Sequence, residues 1–270
     1  MPNDFDRIGK QFHQVTFPVN PLEFPDSLTA LCYTPNGSIL LGDLQGKLHH
    51  LSILENGPRA VSKTVISQGT RISDVATNLS ANVFASTSFG VDDVTLGEIG
   101  NNGLFATFTS LHSWSGCMLM AGTLDGEVVL WDIRKPQAVA TFGKRHGNNR
   151  SIFSVDATAR LLVLASDTGQ AEFYDIQSKK LITKKKIIDG NIGALGFSPK
   201  QKYLAVADEE KLSMVNMNEF CLSPIPFPAK EVIKLNKVTG LRWHPFSFQF
   251  ATRSTDKKLR VFRSQLEEDL

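Results

Sequence analysis

"LTALCYTP" at residues 28–35, "IGALGFSP" at 192–199 and "VTGLRWHP" at 238–245 are one phrase written three times. Each copy reads apolar, any, small, Leu, any, aromatic, any, Pro. A second apolar piece follows each copy ("SILLGD", "KYLAVAD", "FQFATRS"), and then a third ("GKLHHLSI", "KLSMVNM", "KLRVFR"). Turn-forming residues such as Asn36-Gly37, Gln45-Gly46 and Asp256-Lys257 stand between the pieces. Short apolar runs punctuated in this way are strands. Pro35, Pro199 and Pro245 fall just past a strand, where a missing N–H costs no ladder bond.

The middle of the chain carries the same unit in different lettering. "CMLMAGTLDGEVVLWDIRKPQAVATF" (117–142) holds two apolar runs around Asp125-Gly126 and a third after Lys135-Pro136. "LLVLASDTGQAEFYDIQSKKLITKKKI" (161–187) repeats it around Thr168-Gly169, and "ISDVATNLSANVFASTSFGVDDVTL" (72–96) is a degenerate copy. Anchor positions then fall at Leu51, about Leu96, Trp131, Tyr174, Val215 and Phe262. Their spacing averages about 42 residues, the length of one four-stranded propeller blade.

Here the residues resemble a known family. "GTLDGEVVLWDIRKPQAVATF" looks like the end of a WD repeat, with Trp131-Asp132 as the signature pair, and "SDTGQAEFYDI" is similar, with Tyr174-Asp175 in its place. The resemblance covers about residues 27–263. It implies an all-β fold: a single β-propeller of four-stranded antiparallel blades. Six blades are counted, with a seventh only if 53–71 or 96–108 contains one. The family's Gly-His dipeptide is absent throughout, so the blades are expected to rely on apolar packing rather than on buried polar tetrads. A lone blade cannot bury both of its faces, and stacking in a ring buries them against each other.

Ring closure falls to the N-terminus. Residues 264–270 are a short acidic tail, too short for a fourth strand, whereas "QFHQVTF" (11–17) is an isolated alternating stretch with His13, Val15 and Phe17 on one face. The organisation is therefore an N-terminal segment (1–26) with the ring-closing strand, a propeller (27–263) and the tail. A partner-supplied blade in an open ring is the alternative closure.

Composition bounds the function. The chain of 270 residues is 41% hydrophobic and 21% charged, with a formal charge of +2. Such a balance does not suit a protein whose main work is neutralising phosphates. Three widely spaced cysteines (Cys32, Cys117, Cys221) form neither a disulfide framework nor a metal motif. With no apolar leader and no run of 18 apolar residues, the expectation is an intracellular protein of cytoplasm or nucleus, without membrane insertion. His49-His50 cannot share one ion as a pair, because neighbouring strand residues point to opposite faces. No nucleophile elbow, metalloprotease helix, phosphate loop or dinucleotide fingerprint is present. Asp92-Asp93 and Glu209-Glu210 fall at turns. Neither catalytic nor metal residues are expected, nor a cofactor or a small-molecule substrate.

The favoured function is a non-catalytic scaffold subunit that binds proteins within a larger complex. Loops at a propeller's end escape the packing rules and carry recognition. On the family's geometry one end presents Thr70, Arg71, Phe89, Leu124, Arg150, Asn191 and Lys237. Arg and aromatic residues are the usual interface anchors, which singles out Arg71, Phe89 and Arg150 among the candidates Arg71, Phe89, Arg150, Asn191 and Lys237. The alternative is an RNA-, DNA- or chromatin-associated rim built on Lys179, Lys180, Lys184 and Lys186. Such lysines also protect an edge strand from pairing, and no aromatics interleave with them for base stacking. A propeller enzyme is the remaining, weaker class.

Overall fold

The computed structural model describes residues 12–14, 24–54, 57–67, 71–77, 84–88, 94–96, 108–113, 118–123, 127–132, 134–135, 137–143, 152–157, 160–166, 168–208, 211–219, 222–225 and 238–264. Every regular element among them is a strand. Strand β1 (Phe12–Gln14) comes first. A first sheet follows, built from β2 (Leu28–Tyr33), β3 (Ile39–Asp43), β4 (Lys47–Leu54) and β5 (Gly57–Ser67). The second has three strands, β6 (Ile72–Thr77), β7 (Phe84–Ser88) and β8 (Val94–Leu96). The third contains β9 (Phe108–Ser113), β10 (Met118–Thr123), β11 (Val128–Asp132) and β12 (Ala138–Phe142). The fourth contains β13 (Ile152–Ala157), β14 (Leu161–Ser166), β15 (Gln170–Asp175) and β16 (Lys180–Lys186). The fifth contains β17 (Ala194–Phe197), β18 (Tyr203–Ala207), β19 (Leu212–Asn216) and β20 (Leu222–Pro224). The sixth contains β21 (Val238–Trp243), β22 (Gln249–Ser254) and β23 (Leu259–Ser264), and β1 is its fourth strand.

All pairings are antiparallel, and the repeat keeps its register to the residue in five of the six sheets, the second being offset by one. The six anchor positions lie on the third strand of successive sheets, each opposite a second-strand residue: Ile39↔Leu51, Ala85↔Leu96, Leu119↔Trp131, Leu162↔Tyr174, Leu204↔Val215 and Phe250↔Phe262. No seventh sheet occurs among the described residues. Residues 57–67 are the outer strand of the first sheet, and 108–113 open the third. The unit of three strands read from the phrase gains a fourth strand in five of the six sheets.

The opening phrase has six copies rather than three. Leu28-Thr29-Ala30-Leu31, Ile72-Ser73-Asp74-Val75, Phe108-Thr109-Ser110-Leu111, Ile152-Phe153-Ser154-Val155 and Val238-Thr239-Gly240-Leu241 each begin a first strand with a bulge that leaves the second residue as the extra one. At Ile192-Gly193-Ala194-Leu195, the Gly193 N–H reaches the Ala207 carbonyl, which also faces Ala194. A bulge bends the strand and re-aims a side chain. A third residue as small as Ala30 lets neighbouring sheets approach, whereas the second sheet carries Asp74 there. A Cβ on Gly42, opposite Ala30, would stand 2.7 Å from the Ile72 side chain of the second sheet.

The core lies between sheets. Leu204 and Val206 pack with Val163 and Phe173 of the fourth sheet, while Ala205 and Ala207 pack with Leu241 and Phe250 of the sixth. Met120, Val128 and Phe142 meet Leu162, Leu164 and Tyr174 between the third and fourth sheets. Leu31, Ile39 and Leu51 meet Ala251, Leu259 and Val261 between the first and the sixth. Runs such as "LLVLA" and "YLAVA" are apolar without alternation because both faces of each sheet are covered. The first strands neighbour one another in the pairs β2–β6, β6–β9, β9–β13, β13–β17, β17–β21 and β21–β2.

Strand β1 pairs with β23 through Phe12↔Ser264, His13↔Arg263 and Gln14↔Phe262. Of the stretch 11–17 only 12–14 are described. The buried anchor is Phe12, of opposite parity to the expected face of His13, Val15 and Phe17, and its ring lies 5.5 Å from Phe250 and edge-on to Trp243 at 6.0 Å. The aromatic slot of the phrase is core. Phe197 and Trp243 are buried, and the Trp243 indole donates to the Gly196 carbonyl of the fifth sheet at 2.9 Å.

Apolar packing is not the only tie. Buried Asp43, at the β3–β4 turn, accepts from the Gln45 and Lys47 amides and meets His49 Nε2 at 2.8 Å. Asp256, at the β22–β23 turn, accepts from the Lys258 amide, the Ser254 hydroxyl and buried Arg260. Without any Gly-His dipeptide, these sheets recruit a residue of the third strand to hold the turn acid.

Candidate interaction surface

First strands begin, and second strands end, on one side of every sheet. On that side Arg71 is exposed immediately before β6, and Asn191 is exposed shortly before β17. Leu44, in the β3–β4 turn, is a large apolar side chain left 43% exposed. Phe89, Arg150 and Lys237, like Thr70 and Leu124, lie outside the described residues. Of the five proposed anchors, therefore, Arg71 and Asn191 are placed, each ahead of a first strand.

Beside Arg71 lies a group that the sequence reading did not single out. Arg242 of β21 reaches Asp74 of β6 at 3.2 Å, bridging the sixth sheet to the second past β2. Arg253, at the end of β22, is 8% exposed. Its Nη1 donates to Thr239 Oγ1 at 2.9 Å and more weakly to the Leu28 carbonyl at 3.4 Å, across the seam to the first sheet. Burial is the main force on its charge and lowers the guanidinium to about 10; Asp74 opposes that shift, while Arg242 and Arg71 add to it. Cys32, on β2, sits beneath this group, with its thiol pushed up by desolvation.

A sequence signal for Arg253 did exist. Its structural equivalents on the other second strands are Gly42, Thr87, Gly122, Ala165 and Ala207, all small. Only here does a long cation stand at that position, opposite the smallest possible partner, Gly240. A Cβ on Gly240 would lie 2.4 Å from Arg253 Nε, so the missing side chain makes the room that the guanidinium occupies.

The lysine run forms β16, the outer strand of the fourth sheet, and Lys179, Lys180, Lys184, Lys185 and Lys186 are all exposed. Lys184 pairs with Glu172 across the ladder at 2.7 Å, Lys186 pairs with Asp189 at 2.6 Å, and Lys179 Nζ meets the Val139 carbonyl at 3.3 Å. Leu181 and Ile182 are half exposed among them. The strand is a charged sheet edge, a form that resists pairing with another chain.

The remaining singled-out residues are structural. Asp132 takes the Arg134 guanidinium at two oxygens, and Asp175 takes the Ser178 amide and Arg160 Nε. Those bonds close turns within their own sheets, and they hold both carboxyls at about 2. His49 turns to Asp43 and His50 to Ser38 Oγ, in separate networks. Asp92-Asp93 and Glu209-Glu210 lie outside the described residues. No known protein-family model matches this sequence.

Proposed function

We propose that the six sheets are the blades of a closed propeller of the WD-repeat type, completed by β1, and that the chain is a non-catalytic scaffold subunit. It grips a protein partner, within a larger complex, through the end where the first strands begin. The cyclic order of first-strand neighbours supports the ring, as does the apolar cluster between the first and sixth sheets. The observation that carries the interaction reading is exposed Arg71 beside Arg242 and Arg253, on strand ends held by packing from both sides. Rigidly mounted arginines are the kind of side chain on which interface energy concentrates.

A nucleic-acid reading is favoured by one feature, the row of exposed lysines on β16. The ion pairs of Lys184 and Lys186 weigh against it, since those charges already have partners. Tagged chain recovered from its own cells separates the two readings. Arg71→Ala should cut partner recovery roughly 5- to 30-fold, the effect of losing about 1–2 kcal/mol. The Lys184→Ala/Lys186→Ala variant should leave recovery unchanged. Nucleic acid that accompanies the wild type, is lost in the lysine variant and is released by salt would move the function to the β16 edge.

A further inference from the structure

Where the first strands begin, two polar groups at the seam between the sixth and first sheets are buried without any partner: Arg253 Nε and Thr29 Oγ1. Both residues belong to one stretch of the seam, since Arg253 Nη1 reaches the carbonyl of Leu28, the residue bonded to Thr29. Thr29 is 5% exposed and is the extra residue of the β2 bulge, just as Thr239, which does hold Arg253, is the extra residue of the β21 bulge. Unsatisfied buried donors are rare, and an unneutralised buried cation is more costly than an uncharged one. Here the cost is built in, because Gly240 clears the space into which Arg253 folds and no other second strand carries a charge at this place.

We infer that Arg253 Nε, the Thr29 hydroxyl and the exposed Arg71 form an oxyanion-binding site for a carboxylate or phosphoryl group on a side chain of the partner protein. An oxyanion supplies what both orphans lack: acceptor oxygens for the guanidinium N–H and for the hydroxyl proton. Arg242 and Arg71 add positive potential, and Asp74 tempers it. Thr239, by holding Nη1, fixes the plane of the guanidinium, so binding does not have to order it. The site deepens the reading of this end as the partner-binding face, and it states what the partner must present there.

The test uses the purified full chain, with sodium phosphate or sodium acetate titrated against sodium chloride at matched ionic strength while thermal unfolding is followed. The wild type should gain a saturable rise in Tm. Stabilisation at lower concentration by phosphate than by acetate assigns the site to a phosphorylated side chain, and the reverse order assigns it to Asp or Glu. Thr29→Val keeps the shape and removes an unpartnered hydroxyl, so its Tm without anion should not fall, yet its apparent anion affinity should drop roughly tenfold. Arg71→Ala, an exposed change, should weaken binding in the same direction, and it keeps the test open should Arg253→Met fail to fold. No stabilisation beyond chloride, or equal stabilisation in the wild type and both variants, overturns the site. That failure is separable from failure of the scaffold reading. Partner recovery that depends on Arg71 without anion binding leaves the scaffold and removes the oxyanion site; anion binding with no recoverable partner does the opposite.

Discussion

Single carboxylates at turns set the geometry of this molecule. Asp43, Asp132, Asp175 and Asp256 each gather amide or guanidinium donors where the chain reverses. For Asp132 and Asp175 the donors lower the folded carboxyl from 3.8 to about 2. A depressed carboxyl stabilises the fold fully above its unfolded value and ceases to do so as pH falls through its folded value. Stability should therefore decline as pH drops from about 4 to about 2, and Asp132→Asn/Asp175→Asn should flatten that segment of a urea-midpoint profile against pH. An unchanged slope there would show that other groups carry the acid sensitivity. The acids themselves could be read in the sequence, because Asp next to an aromatic at a strand end is visible there. What they bind could not: Arg160 lies 15 residues before Asp175, and only the ladder brings it back.

At the scale of the strand, periodicity and turn residues made most of the fold legible. The turns at Gly37, Gly46 and Gly169 have positive φ, and Lys257 takes the same left-handed conformation. Gly169 is the most constrained. At φ +74 its absent Cβ would sit 2.1 Å from the Ile188 carbonyl, whose chain folds over the β14–β15 turn. Gly169→Ala should cost about 2 kcal/mol or more, measured as a shift in denaturant midpoint. A loss below about 0.5 kcal/mol would mean that the 187–190 segment does not pack there. The opening phrases at Phe108 and Ile152 were missed, and the one at Ile72 was read only as the start of a degenerate copy, because these strands lack the terminal aromatic and Pro, and the bulge is a property of pairing that no single strand displays. The outer strands β5 and β20 were also unread, since "GPRAVSKTVIS" and "LSP" alternate weakly. The candidate surface was half legible. Arg71 follows from its place before a first strand, whereas Arg253 emerges only when equivalent positions are aligned by register.

For the whole molecule, everything proposed about function depends on six sheets acting as one rigid ring. An open stack would let the first and sixth sheets separate and would part Arg71, before the second sheet, from Arg242 and Arg253 of the sixth. Sheets far apart in sequence meet at one contact. Gly37 of the β2–β3 turn lies against the His244 imidazole, where an added Cβ would come within 2.7 Å of Nε2, and the Tyr33 and His244 rings are 5.2 Å apart. Exposed Asn36 and Phe246 flank that contact on the face opposite the arginines. The most direct test places one nitroxide at each, by N36C and F246C, in a chain whose Cys32, Cys117 and Cys221 are replaced by alanine. A closed ring is expected to give strong dipolar broadening of the continuous-wave spectrum relative to the two single labels. A double-label spectrum equal to the sum of the singles, in a chain that remains folded, would contradict the closed ring and with it the assembled binding end.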